Sequence, residues 1–201
     1  MWIADTGNRR ILFYKDIPNI NYAAADKVIG KSNFDTRDYE NNEPIWPYSI
    51  KVNAKKQMVV ADTQFYRNLI WNNVDEAFSK QADVVVGQTD FDASGQNQFS
   101  LFPTPKSLNW TYDACFYKDG LLVNDTGNSR ILWFEEIPTE NNVAATAVIG
   151  KRDFKTGSEN KETMHGTSSS LYWPFSICTQ NNKLVIADTG NHRVVITDLE
   201  L

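Results

Sequence analysis

The apolar positions of this chain fall into short runs and not into helical stripes. Met58-Val59-Val60-Ala61 and Leu184-Val185-Ile186-Ala187 are brief and rich in β-branched residues. Such runs, bounded by turn residues, predict buried strands. A polar phrase follows each, and then a second apolar run, as in Arg130-Ile131-Leu132-Trp133-Phe134 and Arg193-Val194-Val195-Ile196. Run, polar break and return run make a β-hairpin. Val84-Val85-Val86-Gly87 predicts a third strand and Ser49-Ile50-Lys51-Val52 a fourth. No segment carries a long 3.6-residue period. The alanines of Tyr22-Ala23-Ala24-Ala25-Asp26 predict one helical turn at most.

The polar break recurs four times. It reads Asp5-Thr6-Gly7-Asn8 with Arg10, Asp62-Thr63 with Arg67, Asp125-Thr126-Gly127-Asn128 with Arg130, and Asp188-Thr189-Gly190-Asn191 with Arg193. The aspartates stand 57, 63 and 63 residues apart. A regular step of this size marks copies of one supersecondary unit. Asp and Asn suit the turn because they bond nearby backbone, and Gly because it takes positive φ without a Cβ clash. The copy at 62 has Gln64-Phe65-Tyr66 instead, which predicts a longer or differently shaped turn. Two further phrases keep the same order. Val28-Ile29-Gly30-Lys31, Val85-Val86-Gly87-Gln88 and Val148-Ile149-Gly150-Lys151 are each followed by a phenylalanine, at 34, 91 and 154. Pro47-Tyr48-Ser49-Ile50, Pro105-Lys106-Ser107-Leu108 and Pro174-Phe175-Ser176-Ile177 precede the later hairpins and are read as one strand type.

Four short strands per unit describe a propeller blade. With the Pro-x-Ser-Ile strand as a, the hairpin as b and c, and Val-Ile-Gly as d, the chain runs b-c-d, a-b-c-d, a-b-c-d, a-b-c. The expected fold is all-β, a β-propeller of four-stranded antiparallel blades. Partial blades at 1–34 and 173–199 flank full blades at 45–91 and 104–154. The Ala-Asp-Thr-Gly-Asn-x-Arg wording, with Asn191-His192 in the last copy, resembles the NHL repeat. That resemblance covers nearly the whole chain and implies propeller blades, usually six to a ring. The units here are roughly 20 residues longer than the ~40–45 residues of related blades. The surplus lies between Phe34 and Pro47, Phe91 and Pro105, and Phe154 and Pro174, in loop chemistry. Loops recurring at one point of each unit gather on one face, where a rigid scaffold usually binds.

Composition narrows this reading. The chain has 201 residues, 41% hydrophobic and 12% aromatic, enough for one globular domain. No 18-residue apolar run is present, so no membrane span is expected, and Met1-Trp2-Ile3-Ala4-Asp5 does not read as a signal peptide. Met1 stands where Met58, Leu121 and Leu184 stand, four residues before the aspartate, so the chain is read as a fragment or subunit of a ring. The formal charge of −5 speaks against nucleic acid as a partner. Cys115 and Cys178 each lie ten residues before a repeat aspartate, which suggests similar places on adjacent units.

The repeated Asp, Gly, Asn and Arg residues are read as structural, because four copies cannot all be one catalytic centre. Asp90-Phe91-Asp92-Ala93-Ser94-Gly95 imitates the start of a calcium loop, but position twelve is Leu101 and the sister loops carry Arg37 and Lys155. Histidine occurs twice, at 165 and 192, short of the set a catalytic zinc commonly uses. Ser168-Ser169-Ser170 lacks a nucleophile elbow, and the sequons at Asn109 and Asn124 are read as chance. Trp46, Tyr48, Trp110, Tyr172, Trp173 and Phe175 cluster where long loops lead into strand a, and are the candidates for partner binding. The expected function is a non-catalytic scaffold that holds a protein or peptide on its loop-rich face, with no cofactor or metal. A homo-oligomer or the remainder of a longer propeller would complete it. The alternatives are a metal-assisted lyase or hydrolase with its site in the central channel, and RNA binding, which the resemblance implies for some members.

Overall fold

The structure, a computed structural model, describes residues 1–36 and 44–199. It contains four antiparallel sheets and short 3-10 turns, with no α-helix among the described residues. The first sheet is β1 (Trp2–Asp5), β2 (Arg10–Phe13) and β3 (Lys27–Ile29). The second is β4 (Pro47–Val52), β5 (Met58–Asp62), β6 (Arg67–Trp71) and β7 (Val84–Val86). The third is β8 (Thr111–Tyr117), β9 (Gly120–Asp125), β10 (Arg130–Phe134) and β11 (Ala147–Ile149). The last is β12 (Pro174–Gln180), β13 (Lys183–Asp188) and β14 (Arg193–Asp198). Strands neighbour one another in chain order, so each sheet is finished before the next begins.

The core lies between sheets, in three clusters. Ile11 and Ile29 of the first sheet meet Met58, Val60, Leu69 and Val85 of the second. Val59, Ile70, Val84 and Val86 on the opposite side of the second sheet meet Ala114, Leu121, Val123 and Leu132. Cys115, Leu122, Ile131 and Trp133 then meet Ile177, Leu184 and Ile186. Alternation along each central strand sends successive side chains to two different junctions, which is why these strands read as unbroken apolar runs. Each fully buried aliphatic side chain contributes roughly 1.5–3 kcal/mol. Polar pins cross every junction as well. The hydroxyls of Thr6, Thr63 and Thr126 donate to the carbonyls of Pro47, Thr111 and Pro174 on the next sheet.

The structure departs from several sequence expectations. The a-type strand of the third sheet is not Pro105-Lys106-Ser107-Leu108, which lies in a loop, but Thr111-Tyr112-Asp113-Ala114. Pairing of Asp113 with Asn124 matches that of Ser49 with Ala61 and Ser176 with Ala187. The hairpin glycines are not the left-handed residues of the turn. That conformation falls on the residue after, at Arg9, Tyr66, Ser129 and His192, all with φ of 53°. The copy at 62 keeps the same 3-10 turn, Thr63–Phe65, despite losing Gly and Asn. Finally, no turn aspartate caps its own turn with its side chain. The alanines after Tyr22 form no helical turn.

Glycine 127 and Gly190 are needed for close approach. A Cβ on Gly127 would come within 2.5 Å of Asn109 Cγ, and one on Gly190 within 2.6 Å of Tyr172 Cγ. Their amides donate to the carbonyls of those same residues. In the second sheet the lead-in to strand a is one residue shorter. Trp46 alone stands where Asn109-Trp110 and Tyr172-Trp173 stand, and Thr63 N takes over the donation. Gln64 is therefore tolerated where the other copies have Gly.

Candidate functional site

Each hairpin aspartate holds a repeating knot. Asp Oδ2 accepts Arg Nε at 2.7 Å in all four copies: Asp5–Arg10, Asp62–Arg67, Asp125–Arg130 and Asp188–Arg193. Asn8, Asn128 and Asn191 donate to the same carboxylates. Asp Oδ1 accepts the backbone N–H of Trp46, Asn109 and Tyr172 in the last three copies. The remaining guanidinium nitrogens reach the loops, at the carbonyls of Phe34, Phe91 and Phe154 and of Pro44, Ser107 and Ser170. The arginine thus ties the end of one sheet to its following loop and, at Arg67, Arg130 and Arg193, to the lead-in of strand a.

The loops after Gly30, Gly87 and Gly150 start alike. Asn33, Asp90 and Asp153 accept backbone N–H groups two residues on, and the two aspartates also take the next amide. The resemblance to a calcium loop at Asp90 therefore corresponds to a self-contained Asx turn. Its counterpart Arg37 lies outside the described residues. Asn97 and Asn128 exchange two amide bonds, as do Asn160 and Asn191, fastening the long loops to the hairpin turns. Hairpin turns and long loops consequently share one face. That face also carries Phe99 and Leu101, each 86% exposed, with Phe102 and Met164.

The innermost strands converge on a cavity of about 660 Å³ lined by Tyr48, Lys51, Tyr112, Asp113, Phe175 and Ser176, together with Trp2 and Ala4. Tyr48 meets Tyr112 edge-on, with centroids 4.8 Å apart, and Tyr112 stacks on Phe175 at 4.8 Å. One aromatic from each of three sheets thus forms a ladder. Burial, and then the neighbouring Tyr48, push the Tyr112 phenol above its ordinary value. Beneath the ladder lies buried Asp113. It accepts Lys51 Nζ at 3.1 Å, Ser176 Oγ at 2.8 Å and Ile177 N at 3.0 Å, linking the second, third and last sheets. With Lys51, Ser176 and the amides of Ala114 and Ile177 all donating to its two oxygens, Asp113 fastens the three sheets to one another.

The sequence-predicted aromatics separate into two groups. Tyr48 and Phe175 are brought together, 42% and 40% exposed, with Tyr112 as the unforeseen middle member. Trp110 and Trp173, 38% and 40% exposed, occupy equivalent left-handed positions just before strand a. Trp46 lies beneath the Arg9 guanidinium at 4.0 Å. Tyr172 packs on its hairpin at Gly190. Lys51, Asp113 and the Phe99–Phe102 stretch also escaped the sequence reading. Asn109 and Asn124 are buried, and Asn124 Nδ2 donates to Pro174 O, so neither sequon offers a free side chain. Among the described residues no group of three His, Cys, Asp or Glu side chains is placed to hold a metal ion. Likewise, no helix there is long and apolar enough to cross a membrane. Cys115 and Cys178 occupy equivalent strand positions and are free thiols; burial pushes Cys115 up to about 12. The chain matches no protein-family model and no curated protein.

Proposed function

We propose that the four sheets are blades of an NHL-type β-propeller, two full and two partial. We propose further that the chain is a non-catalytic scaffold gripping a protein or peptide on its loop-rich face. The strand order supports the propeller reading, as does the meeting of β4, β8 and β12 at one cavity. The observation that carries the function is the Tyr48–Tyr112–Phe175 ladder beside exposed Trp110 and Trp173. Aromatic side chains bury large area at low entropic cost and dominate binding hot spots. The charged groups beside the ladder, Lys51 and Asp113, already neutralise each other.

Peptide display selection on the purified chain tests this reading. Selected peptides should lose affinity by about tenfold or more, roughly 1.4 kcal/mol, in the Trp110→Ala/Trp173→Ala variant, with an unchanged thermal melt. Lys55→Ala, in the β4–β5 turn at the opposite end of the strands, should leave binding intact. Peptides that respond to Lys55 and ignore the tryptophans would sink the proposal.

A further inference from the structure

The second and third sheets lead into their outermost strands by loops of one length, 72–83 and 135–146, yet the two loops run differently. In the third sheet the loop reaches across to the sheet before it. Asn141 Oδ1 accepts the N–H of Val85 at 2.9 Å, and the N–H of Asn142 donates to the Val85 carbonyl at 3.2 Å. Val143 and Ala145 follow into the apolar junction. An asparagine pair thereby closes the outer edge of β7. In the second sheet the loop instead winds into the 3-10 turn Val74–Glu76, capped by Asn73, and turns Phe78 onto Trp2 and Phe13.

The strand left bare by this second loop is β3. Val28 pairs with Leu12 as Val85 pairs with Leu69, and the amides of Asp26 and Asp83 make the same entry bond to Phe13 and Ile70. The N–H and C=O of Val28 therefore point away from the sheet, as those of Val85 do. Among the described residues neither meets a hydrogen-bond partner. Val28 lines a cavity of about 860 Å³ between the first two sheets, with an apolar wall of Trp71, Ala77, Phe78 and Ala82 and exposed Gln81 beside it. Sites of this size take small ligands and short segments, and backbone N–H and C=O groups fix their orientation. Chain lies on both sides of β3 and of the 72–83 loop, so this edge is bare through the path of that loop. Bare strand edges recruit further chain by main-chain hydrogen bonds.

We infer that this cleft receives a peptide segment of another polypeptide, carrying an asparagine, then a residue with a free amide, then a small aliphatic residue. The asparagine Oδ1 accepts the Val28 N–H, the next amide donates to the Val28 carbonyl, and the aliphatic side chain packs on the apolar wall. Asn141-Asn142-Val143 supplies that pattern inside this chain and is spent on β7. The inference stands apart from the loop-face reading, because it uses the outer strand of the first sheet and none of the aromatic ladder.

The probe is a fluorescein-labelled peptide with the sequence of residues 139–145, followed by fluorescence anisotropy. It should bind saturably with 1:1 stoichiometry and slow hydrogen exchange of the Val28 amide. An Asn141→Leu peptide, which offers no acceptor, should bind at least about tenfold more weakly. The decisive variant of the protein is Val28→Pro. It removes the outward N–H and breaks no ladder bond, and proline is accepted at such an edge, so circular dichroism should be unchanged. Affinity for the parent peptide should fall by about tenfold, and the Asn141→Leu peptide should lose nothing more, because both changes delete one hydrogen bond. Gln81→Trp, a surface change beside the cavity, tests the site without touching the strand: it should narrow the cleft and weaken binding by about tenfold with an unchanged melt. Absence of saturable binding, additive losses from Val28→Pro and Asn141→Leu, or indifference to Gln81→Trp overturns the inference. So does self-association that the peptide displaces, since a second copy would then be the occupant. The Trp110→Ala/Trp173→Ala variant should bind this peptide as the parent does, which separates the result from that of the loop face.

Discussion

The same Asp–Arg pair is made four times, yet its surroundings differ. Arg130 and Asp125 are wholly buried, whereas Arg10 and Asp5 remain about a fifth exposed. Burial pushes the Asp62 and Asp125 carboxyls up against the pull of Arg67 and Arg130. At Asp5 burial also raises the carboxyl, but the Arg10 and Asn8 hydrogen bonds outweigh it and hold the group below its ordinary value. Removing a partner from a buried pair strands a charge, so Asp125→Ala should cost about 3–5 kcal/mol. Asp5→Ala should cost about 1 kcal/mol or less. Urea unfolding of the two variants measures the difference, and equal losses would contradict the knot's dependence on burial. Lys151 is the second telling residue. Its Nζ is buried with one long contact, 3.5 Å to Leu171 O, where Gln88 in the preceding sheet donates to Tyr66 O and Gly95 O. Burial pushes the Lys151 ammonium down to about 8. The unfolded chain then holds more proton than the folded one between about pH 8 and the ordinary ~10.4. The destabilisation is therefore complete below pH 8 and fades as pH rises through that window. Lys151→Gln should raise the melting temperature at pH 7, and the gain should shrink towards pH 10.

At the scale of the element, the hairpin turn is constant and its neighbour varies. Four turns share one backbone although only three contain Gly. What Gly secures is contact with the lead-in segment, so its value depends on that segment being there. Gly190→Ala should destabilise by about 1–3 kcal/mol through overpacking against Tyr172. Gly7→Ala should stay within about 0.5 kcal/mol of the parent. Thermal melts of the pair decide it; equal sensitivity would mean that the turn, and not the approach, demands Gly. This is also where sequence reading slipped. Counting forward from Pro105 misplaced a strand that counting back from Asp125 would have found. Tyr112 lies thirteen residues before Asp125, as Phe175 does before Asp188. The a–b hairpin keeps one length in the third and last sheets, whereas in the second it is one residue longer, with Tyr48 fourteen residues before Asp62.

Across the whole molecule, sheets stack through both faces except at the two ends. Cys178, Val185 and Ile196 form one outward row of the last sheet, and Ser176, Ala187 and Val194 another. They repeat Cys115–Leu122–Trp133 and Asp113–Asn124–Ile131, which the last sheet covers. Here they are uncovered, with Val194 65% and Ile196 63% exposed. The accessible surface, 10661 Å², exceeds the roughly 9,600 Å² expected of a compact monomer of this mass. An apolar patch of this kind binds apolar dyes and partners. Anilinonaphthalene sulfonate fluorescence should therefore be high for the parent and drop in Val194→Lys/Ile196→Lys, with secondary structure intact by circular dichroism. Undiminished fluorescence would place the apolar surface elsewhere.

The amino-acid sequence alone determined the all-β class, the strands of the hairpins and their fourfold recurrence. Those features rest on alternation, turn chemistry and pairing between strands close along the chain. Only the tertiary structure decided which residues meet across the junctions: the three-ring ladder, and Asp113 between Lys51 and Ser176. Those partners lie about sixty residues apart, and one residue more or less in a lead-in changes which side chain arrives. Local pattern carries no record of that offset, whereas packing between sheets does.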